Sequence, residues 1–162
     1  MIGLFLVAAL AAQADPLAPL SAYQGAWEAR IEELDSPYGK ASTTRVTIRN
    51  DCRRAFAFYA CAQNVDGKDG ALVVFTWNAA TVSYASYPLL PGPPADIHPG
   101  VLKIEGNTWY FPWDQLVEGK TVHFRVVNRF LDPNTIEFRK EVSQDGAAWT
   151  VIGRGLEKRL SN

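Results

Sequence analysis

The sequence contains few of the residues that most often carry out chemistry. It has two histidines, two cysteines and one methionine among 162 residues. Zinc sites take three or four ligands at recognisable Cys and His spacings, and no such spacing occurs here. A phosphate-cradling glycine loop and the Gly-x-Ser-x-Gly elbow of hydrolases are also missing. Sequence motifs therefore predict no metal site, no cofactor and no catalytic residue.

Neither charge sign predominates in the sequence. The chain carries 16 basic and 17 acidic side chains, a net charge of −1, and both signs are spread along its length. Proteins that bind nucleic acids or anionic membranes concentrate positive charge on one surface. The charge balance thus predicts neither a nucleic-acid partner nor an anionic-membrane partner.

Long hydrophobic runs are also absent, apart from a short one at the N-terminus, residues 4–12. This run is shorter than the roughly 20 apolar residues that cross a bilayer. It ends at Ala12-Gln13-Ala14, which fits a small-x-small cleavage site. We predict a signal peptide over 1–14, a single periplasmic or secreted domain over 15–162, and no integral membrane segment in the mature chain. No Lys or Arg precedes the run, so two alternatives stay open: a start further upstream, or an N-terminal strand or helix of the fold.

The two cysteines, Cys52 and Cys61, support export. Their separation of nine residues does not match the C-x-x-C spacing of zinc or redox sites. An even pair in an oxidising compartment usually bridges, and such a bridge would contribute roughly 2.7 kcal/mol by restricting the unfolded chain. The alternative is a reactive thiol.

Turn residues and alternating polarity predict an all-β fold. Gly, Asn or Pro occurs in recurrent turn clusters near residues 36–39, 66–70, 105–107, 118–120, 132–134 and 145–146. The stretches between them are rich in β-branched and aromatic residues, and Val122, Phe124 and Val126 alternate with polar neighbours. Strands are predicted near 26–34, 41–50, 55–63, 71–78, 81–88, 100–105, 108–113, 120–130, 135–143 and 149–158.

This order favours a single antiparallel up-and-down barrel of about ten strands, because closure removes the two raw edges of so long a meander. A two-sheet sandwich is the alternative. A short helical turn is predicted at residues 19–24. The segment 71–77 is apolar on both faces, so its outer face is either covered or meets a partner.

The segment from Pro19 to Trp27 resembles the opening of the calycin superfamily, the lipocalin-like barrels. In that group a helical turn precedes Gly-x-Trp, the Trp packs across the closed end, and an Arg of the last strand often stacks on it. The resemblance assigns these structural roles to Gly25, Trp27 and Arg154, with Lys158 or Arg159 less favoured as the stacking residue. A guanidinium over an indole contributes roughly 0.5–2 kcal/mol.

Further features are similar to an uncharacterised bacterial family of such barrels. They are the cysteine pair, the segment 102–109 and the segment 143–149. Some calycins bind haem through a single late His, but no His follows His123, so the resemblance implies no haem here. His98, before Pro99, has no His or Cys partner in the sequence.

A barrel of about ten strands is wide enough to enclose a cavity. We expect a small, mostly apolar ligand in that cavity, with residues 89–99 forming one wall of the mouth opposite Trp27 or a lid over it. The alternative for these residues is a simple connection between two strands. The predicted ligand-binding side chains are aromatic: Trp77, Tyr84, Tyr87, Trp109, Phe111, Phe124 and Phe138. The alternatives are core roles for these aromatics, an envelope-associated interaction module that could be a homodimer, and an enzyme with acidic residues from distant strands.

Overall fold

The computed structural model describes residues 15–92 and 99–161. The described chain forms ten strands and one short 3₁₀ helix, Ala18–Tyr23. The predicted signal peptide and residues 93–98 of the predicted lid, with His98, lie outside the described residues. The strands are β1 Gly25–Glu33, β2 Ser42–Ala55, β3 Phe58–Val65, β4 Lys68–Asn78, β5 Ser83–Leu89, β6 Gly100–Glu105, β7 Thr108–Val117, β8 Lys120–Asp132, β9 Thr135–Ser143 and β10 Thr150–Arg159.

The strands form one closed antiparallel barrel. Each strand pairs with the next along the chain, and β1 pairs with β10 to complete the ring. This topology confirms the predicted up-and-down barrel, its ten strands and its short N-terminal helix. The two-sheet sandwich is wrong, because pairing of β1 with β10 satisfies both edges at once.

The 3₁₀ helix closes one end of the barrel. Its Leu20, and Leu17 just before it, are buried against side chains from five strands. Those side chains include Tyr59, Phe75 and Trp109. Because a helix of six residues has little stability alone, apolar burial of this kind is what fixes it in place.

Trp27 lies fully buried at this closed end, as the resemblance implies. Its indole Nε1 donates a hydrogen bond to the carbonyl of Tyr23 at 3.1 Å. The guanidinium over its ring belongs to Arg159, at 4.1 Å from the ring centroid. The choice of Arg154 is therefore wrong: in the register of β1 and β10, Arg159 lies opposite Trp27, and Arg154 forms an exposed ion pair with Glu32 at 2.8 Å.

Gly25 of the Gly-x-Trp motif has a specific reason to be glycine. Its φ is +114°, a region that side chains disfavour. A Cβ at this position would lie 2.7 Å from Nη1 of Arg159. The motif therefore combines a backbone bend with a close approach of the guanidinium that stacks on Trp27.

Cys52 and Cys61 form a disulfide, which confirms the predicted bridge. They lie directly opposite each other on β2 and β3. Cys61 is buried and faces the barrel interior. The bridge thus links two neighbouring strands immediately beside the closed end.

A second apolar cluster lies toward the opposite end of the barrel. It contains Val122, Phe124, Val142 and Ile152. Tyr38, from the loop between β1 and β2, packs edge-on against Phe124 with ring centroids 5.2 Å apart. The interior between this cluster and the closed end holds the cavity described next.

Candidate ligand-binding cavity

A cavity of about 370 Å³ lies inside the barrel. Its volume falls within the range of about 300–1,000 Å³ that is typical of small-molecule pockets. The greater part of its wall is apolar and comes from strands β2, β4, β5, β7 and β8. The apolar side chains that line it are Ile48, Val73, Phe75, Pro88, Phe111 and Val126, together with the disulfide-bonded Cys61.

Polar side chains are grouped around Tyr23, the last residue of the 3₁₀ helix. Asn128 donates a hydrogen bond through Nδ2 to the Tyr23 hydroxyl. Asn50 donates through Nδ2 to the Tyr23 carbonyl at 3.3 Å and accepts from Nε2 of Gln63 at 3.4 Å. We call Tyr23, Asn128 and Glu157 the polar floor.

The Oδ1 atom of Asn128 is buried and accepts no hydrogen bond from any described residue. A buried acceptor without a donor costs about 1–3 kcal/mol in a folded protein. The side chain is nevertheless fixed, because its Nδ2 is bonded to Tyr23. The polar floor therefore holds one oriented, unused acceptor.

Glu157 is the ionisable member of the polar floor. It faces inward because β10 places it opposite Ala29 on β1 and Ile136 on β9, both fully buried. Burial raises the pKa of Glu157 to about 7. Burial, and secondarily the charge of Glu157, also raise the pKa of Tyr23. The carboxyl and the phenol hydroxyl are thus close enough to influence each other.

No cation in the described ranges pairs with Glu157. Arg159 lies two residues further along the same strand, but its guanidinium is bonded to the carbonyls of Ala22, Gln24 and Pro133. Lys140 on β9 pairs with Glu33 at 3.6 Å. The negative charge that Glu157 acquires on ionisation is therefore unbalanced at the cavity surface.

Phe111 is the one predicted ligand-binding residue that lines this cavity. Trp77, Tyr84 and Trp109 instead pack in the core beneath it. Tyr84 donates to the carbonyl of Pro16 at 2.5 Å, and the Trp109 ring lies 4.7 Å from that of Tyr23. The expectation that Trp77 and Trp109 mark the mouth opposite Trp27 is wrong, because the apolar side of the 3₁₀ helix needs large partners at its own end.

The other predicted aromatics lie elsewhere. Phe124 stacks on Trp113 at 5.4 Å in the second apolar cluster. Phe138 is half-buried and pairs in register with Asn128, without lining the cavity. Tyr87 points outward, because its neighbours Ser86 and Pro88 both line the cavity.

Neighbouring strands around Tyr87 expose apolar side chains on the outer surface. Phe58, Leu72 and Val101 are 46%, 40% and 40% exposed. Leu72 belongs to the segment 71–77, and β3, β4, β5 and β6 are consecutive neighbours in the barrel. Within the described residues, the outer face of this segment is partly open to solvent.

The described side chains form no arrangement typical of hydrolytic or metal chemistry. His123 bonds to Asp114 at 2.7 Å on the outer surface, while the neighbouring Ser143 hydroxyl donates to Asp145 at 2.9 Å and so is not directed at the imidazole. Over residues 15–92 and 99–161, no group of three His, Cys, Asp or Glu side chains is placed to hold a metal. No helix in the same ranges has the length and apolar content needed to cross a bilayer.

Comparisons with known proteins support the fold. No protein-family model and no curated protein sequence matches the chain. Among solved structures, the chain is similar to that titled "Crystal Structure of Rv2717c from M. tuberculosis", with a TM-score of 0.51 and 12% sequence identity over 93% of this chain and 100% of the other. At this identity the similarity shows fold alone, and it fits a lipocalin-like barrel.

Proposed function

We propose that the barrel binds a small, mostly apolar molecule in its interior cavity. The observation that carries this proposal is an apolar-walled space of about 370 Å³ with a few oriented polar groups at one end. Removing apolar surface from water drives such binding, at about 25 cal/mol per Å². The polar floor would then orient the ligand within the apolar wall.

We further propose that binding takes place outside the cytoplasm, after removal of a signal peptide over 1–14. The disulfide between Cys52 and Cys61 supports this location, because such bonds persist in oxidising compartments. The cavity lies beside that bridge, so the binding site and the export-dependent bond belong to the same part of the barrel.

Filling the cavity tests the proposed function. Ile48→Trp places a large side chain into the cavity wall, whereas Thr47→Trp adds the same group to the exposed face of β2. Each protein is purified from its native host and examined by native mass spectrometry and solvent extraction. We expect a stoichiometric apolar ligand on the natural protein and on Thr47→Trp, and none on Ile48→Trp. Equal occupancy of both variants, or an empty natural protein, would contradict the proposal.

The exposed apolar side chains Phe58, Leu72 and Val101 favour a second candidate function, an envelope-associated interaction module that pairs with a second copy of itself. Leu72→Lys should then shift a dimer to a monomer in sedimentation velocity. The matched change Leu116→Lys, at an exposed residue of β7, should leave the dimer intact. A natural protein that sediments as a monomer at every concentration rejects this candidate.

A further inference from the structure

The amide nitrogens around the polar floor are already bonded, so its open groups are two acceptors and the hydroxyl proton of Tyr23. The Nδ2 atoms of Asn128 and Asn50 both bond to Tyr23, and Nε2 of Gln63 bonds to Asn50. The acceptors that remain at the floor are Oδ1 of Asn128 and the carboxylate of Glu157. A ligand that satisfies these atoms must itself supply hydrogen-bond donors.

The charge of the floor narrows the ligand class further. Glu157 has no cationic partner among the described residues, since Arg159 and Lys140 are engaged elsewhere. A buried carboxylate without a partner is costly, and an ion pair with additional hydrogen bonds reduces that cost. A carboxylate ligand would place two like charges in one cavity and would be disfavoured.

The positions of the two acceptors are compatible with one head group. Asn128 bonds directly to the Tyr23 hydroxyl, and the charge of Glu157 acts on the same phenol. Both residues thus line the same apolar cavity as Tyr23. An ammonium group has three donors and a single positive charge, which matches this pair better than a neutral hydroxyl does.

We propose that the cavity takes an apolar molecule carrying a protonated amine, with Glu157 as its counter-ion and Oδ1 of Asn128 as a second acceptor. This inference rests on the proposed function and specifies its ligand class. The apolar body lies against Phe111 and Val126, and the amine is directed toward the 3₁₀ helix.

Three probes that share one ring system test the inference: 2-naphthylmethylamine, 2-naphthalenemethanol and 2-naphthoate. Affinities are measured by titration calorimetry at pH 8, where the amine is charged and Glu157, with its pKa of about 7, is ionised. We expect the amine to bind about tenfold or more tightly than the alcohol, because charge-assisted hydrogen bonds exceed neutral ones. The carboxylate should bind most weakly.

Glu157→Gln should lower the amine affinity about tenfold and change the alcohol affinity by less than about threefold. Glu105→Gln removes the same charge from the exposed end of β6 and should change neither affinity. The three-probe comparison uses the natural protein alone. It therefore tests the preference for an amine even if Glu157→Gln folds poorly.

The outcomes separate this inference from the proposed function. If the alcohol binds and the amine binds no more tightly, or if Glu157→Gln leaves the amine affinity unchanged, the amine inference is overturned and the apolar cavity stands. If none of the probes binds and the purified natural protein carries no ligand, the proposed function itself fails.

Discussion

The guanidinium of Arg159 lies 4.1 Å from the centroid of the Trp27 ring. The same group donates to three main-chain carbonyls, those of Ala22, Gln24 and Pro133. Arg159 therefore joins the last strand, the first strand, the 3₁₀ helix and the turn between β8 and β9. One side chain ties together the segments that close this end of the barrel.

Arg159→Met should lower the free energy of unfolding by about 2–3 kcal/mol, because the cation–π contact is lost and carbonyls lose their donors. Arg154→Met removes a guanidinium from the exposed pair with Glu32 and should cost less than about 1 kcal/mol. Equilibrium unfolding in urea measures both changes. Equal losses for the two variants would show that Arg159 has no special role.

Trp27→Ala should destabilise the barrel by about 3–5 kcal/mol, because a fully buried indole leaves a large cavity. Trp113→Ala provides a comparison, since that ring is 39% exposed and should cost clearly less. Thermal unfolding followed by near-ultraviolet circular dichroism reports both effects. A midpoint unchanged by Trp27→Ala would contradict the structural role of this residue.

Replacing both cysteines, Cys52→Ala with Cys61→Ala, should lower the stability by roughly 2–3 kcal/mol, the chain-entropy value for so short a loop. Thiol titration of the natural protein in denaturant should detect no thiol before reduction and two afterwards. Two titratable thiols before reduction would refute the bridge.

Glu157 should make the ligand-free barrel less stable as the pH rises. Burial raises the pKa of its carboxyl to about 7 from an ordinary 4.5, so the folded chain holds this proton longer than the unfolded chain does. Its stabilising contribution is full below pH 4.5, declines between pH 4.5 and 7, and is lost above that range, a change of about 3 kcal/mol in the free energy of unfolding. Of the ionisable side chains nearby, Tyr23 lines the same cavity as the carboxyl, while Arg159 and Lys140 bond elsewhere.

Unfolding in urea at pH 5 and pH 8 checks this pH dependence. Glu157→Gln should reduce the loss of stability between the two pH values, and the exposed Glu105→Gln should leave it as in the natural protein. The same pH response in all three proteins would mean that the buried carboxyl does not titrate between the two conditions.

The strands could be predicted from the sequence because their signals are local. The alternation of Val122, Phe124 and Val126 and the turn residues on either side are contained within a few positions. The identity of the arginine over Trp27 is not a local property. It depends on the register of β1 against β10, which lie at opposite ends of the chain, and a shift by one residue reverses the face of every side chain.

The polar floor could not be predicted from the sequence because part of β10 reverses the usual polarity of a barrel strand, in which apolar side chains face the interior and charged ones face solvent. Leu156 points outward and is 43% exposed, whereas its charged neighbour Glu157 points into the barrel. Alternating polarity alone would predict the opposite: Leu156 inside the barrel and Glu157 on its surface. Asn128 could not be predicted either. A single amide side chain in an alternating strand gives no sign in the sequence that its oxygen will lack a hydrogen-bond donor.

The 3₁₀ helix does more than close the barrel, because it also supplies a residue of the cavity. It contributes Tyr23 to the cavity but takes no part in the ring of paired strands. One of the three residues of the polar floor is therefore encoded outside the sheet, whereas Asn128 and Glu157 belong to strands β8 and β10. Because Trp27 and Asn50 bond to the main-chain carbonyl of Tyr23, a substitution of the Tyr23 side chain would alter the floor of the cavity while leaving those bonds and every strand pair in place.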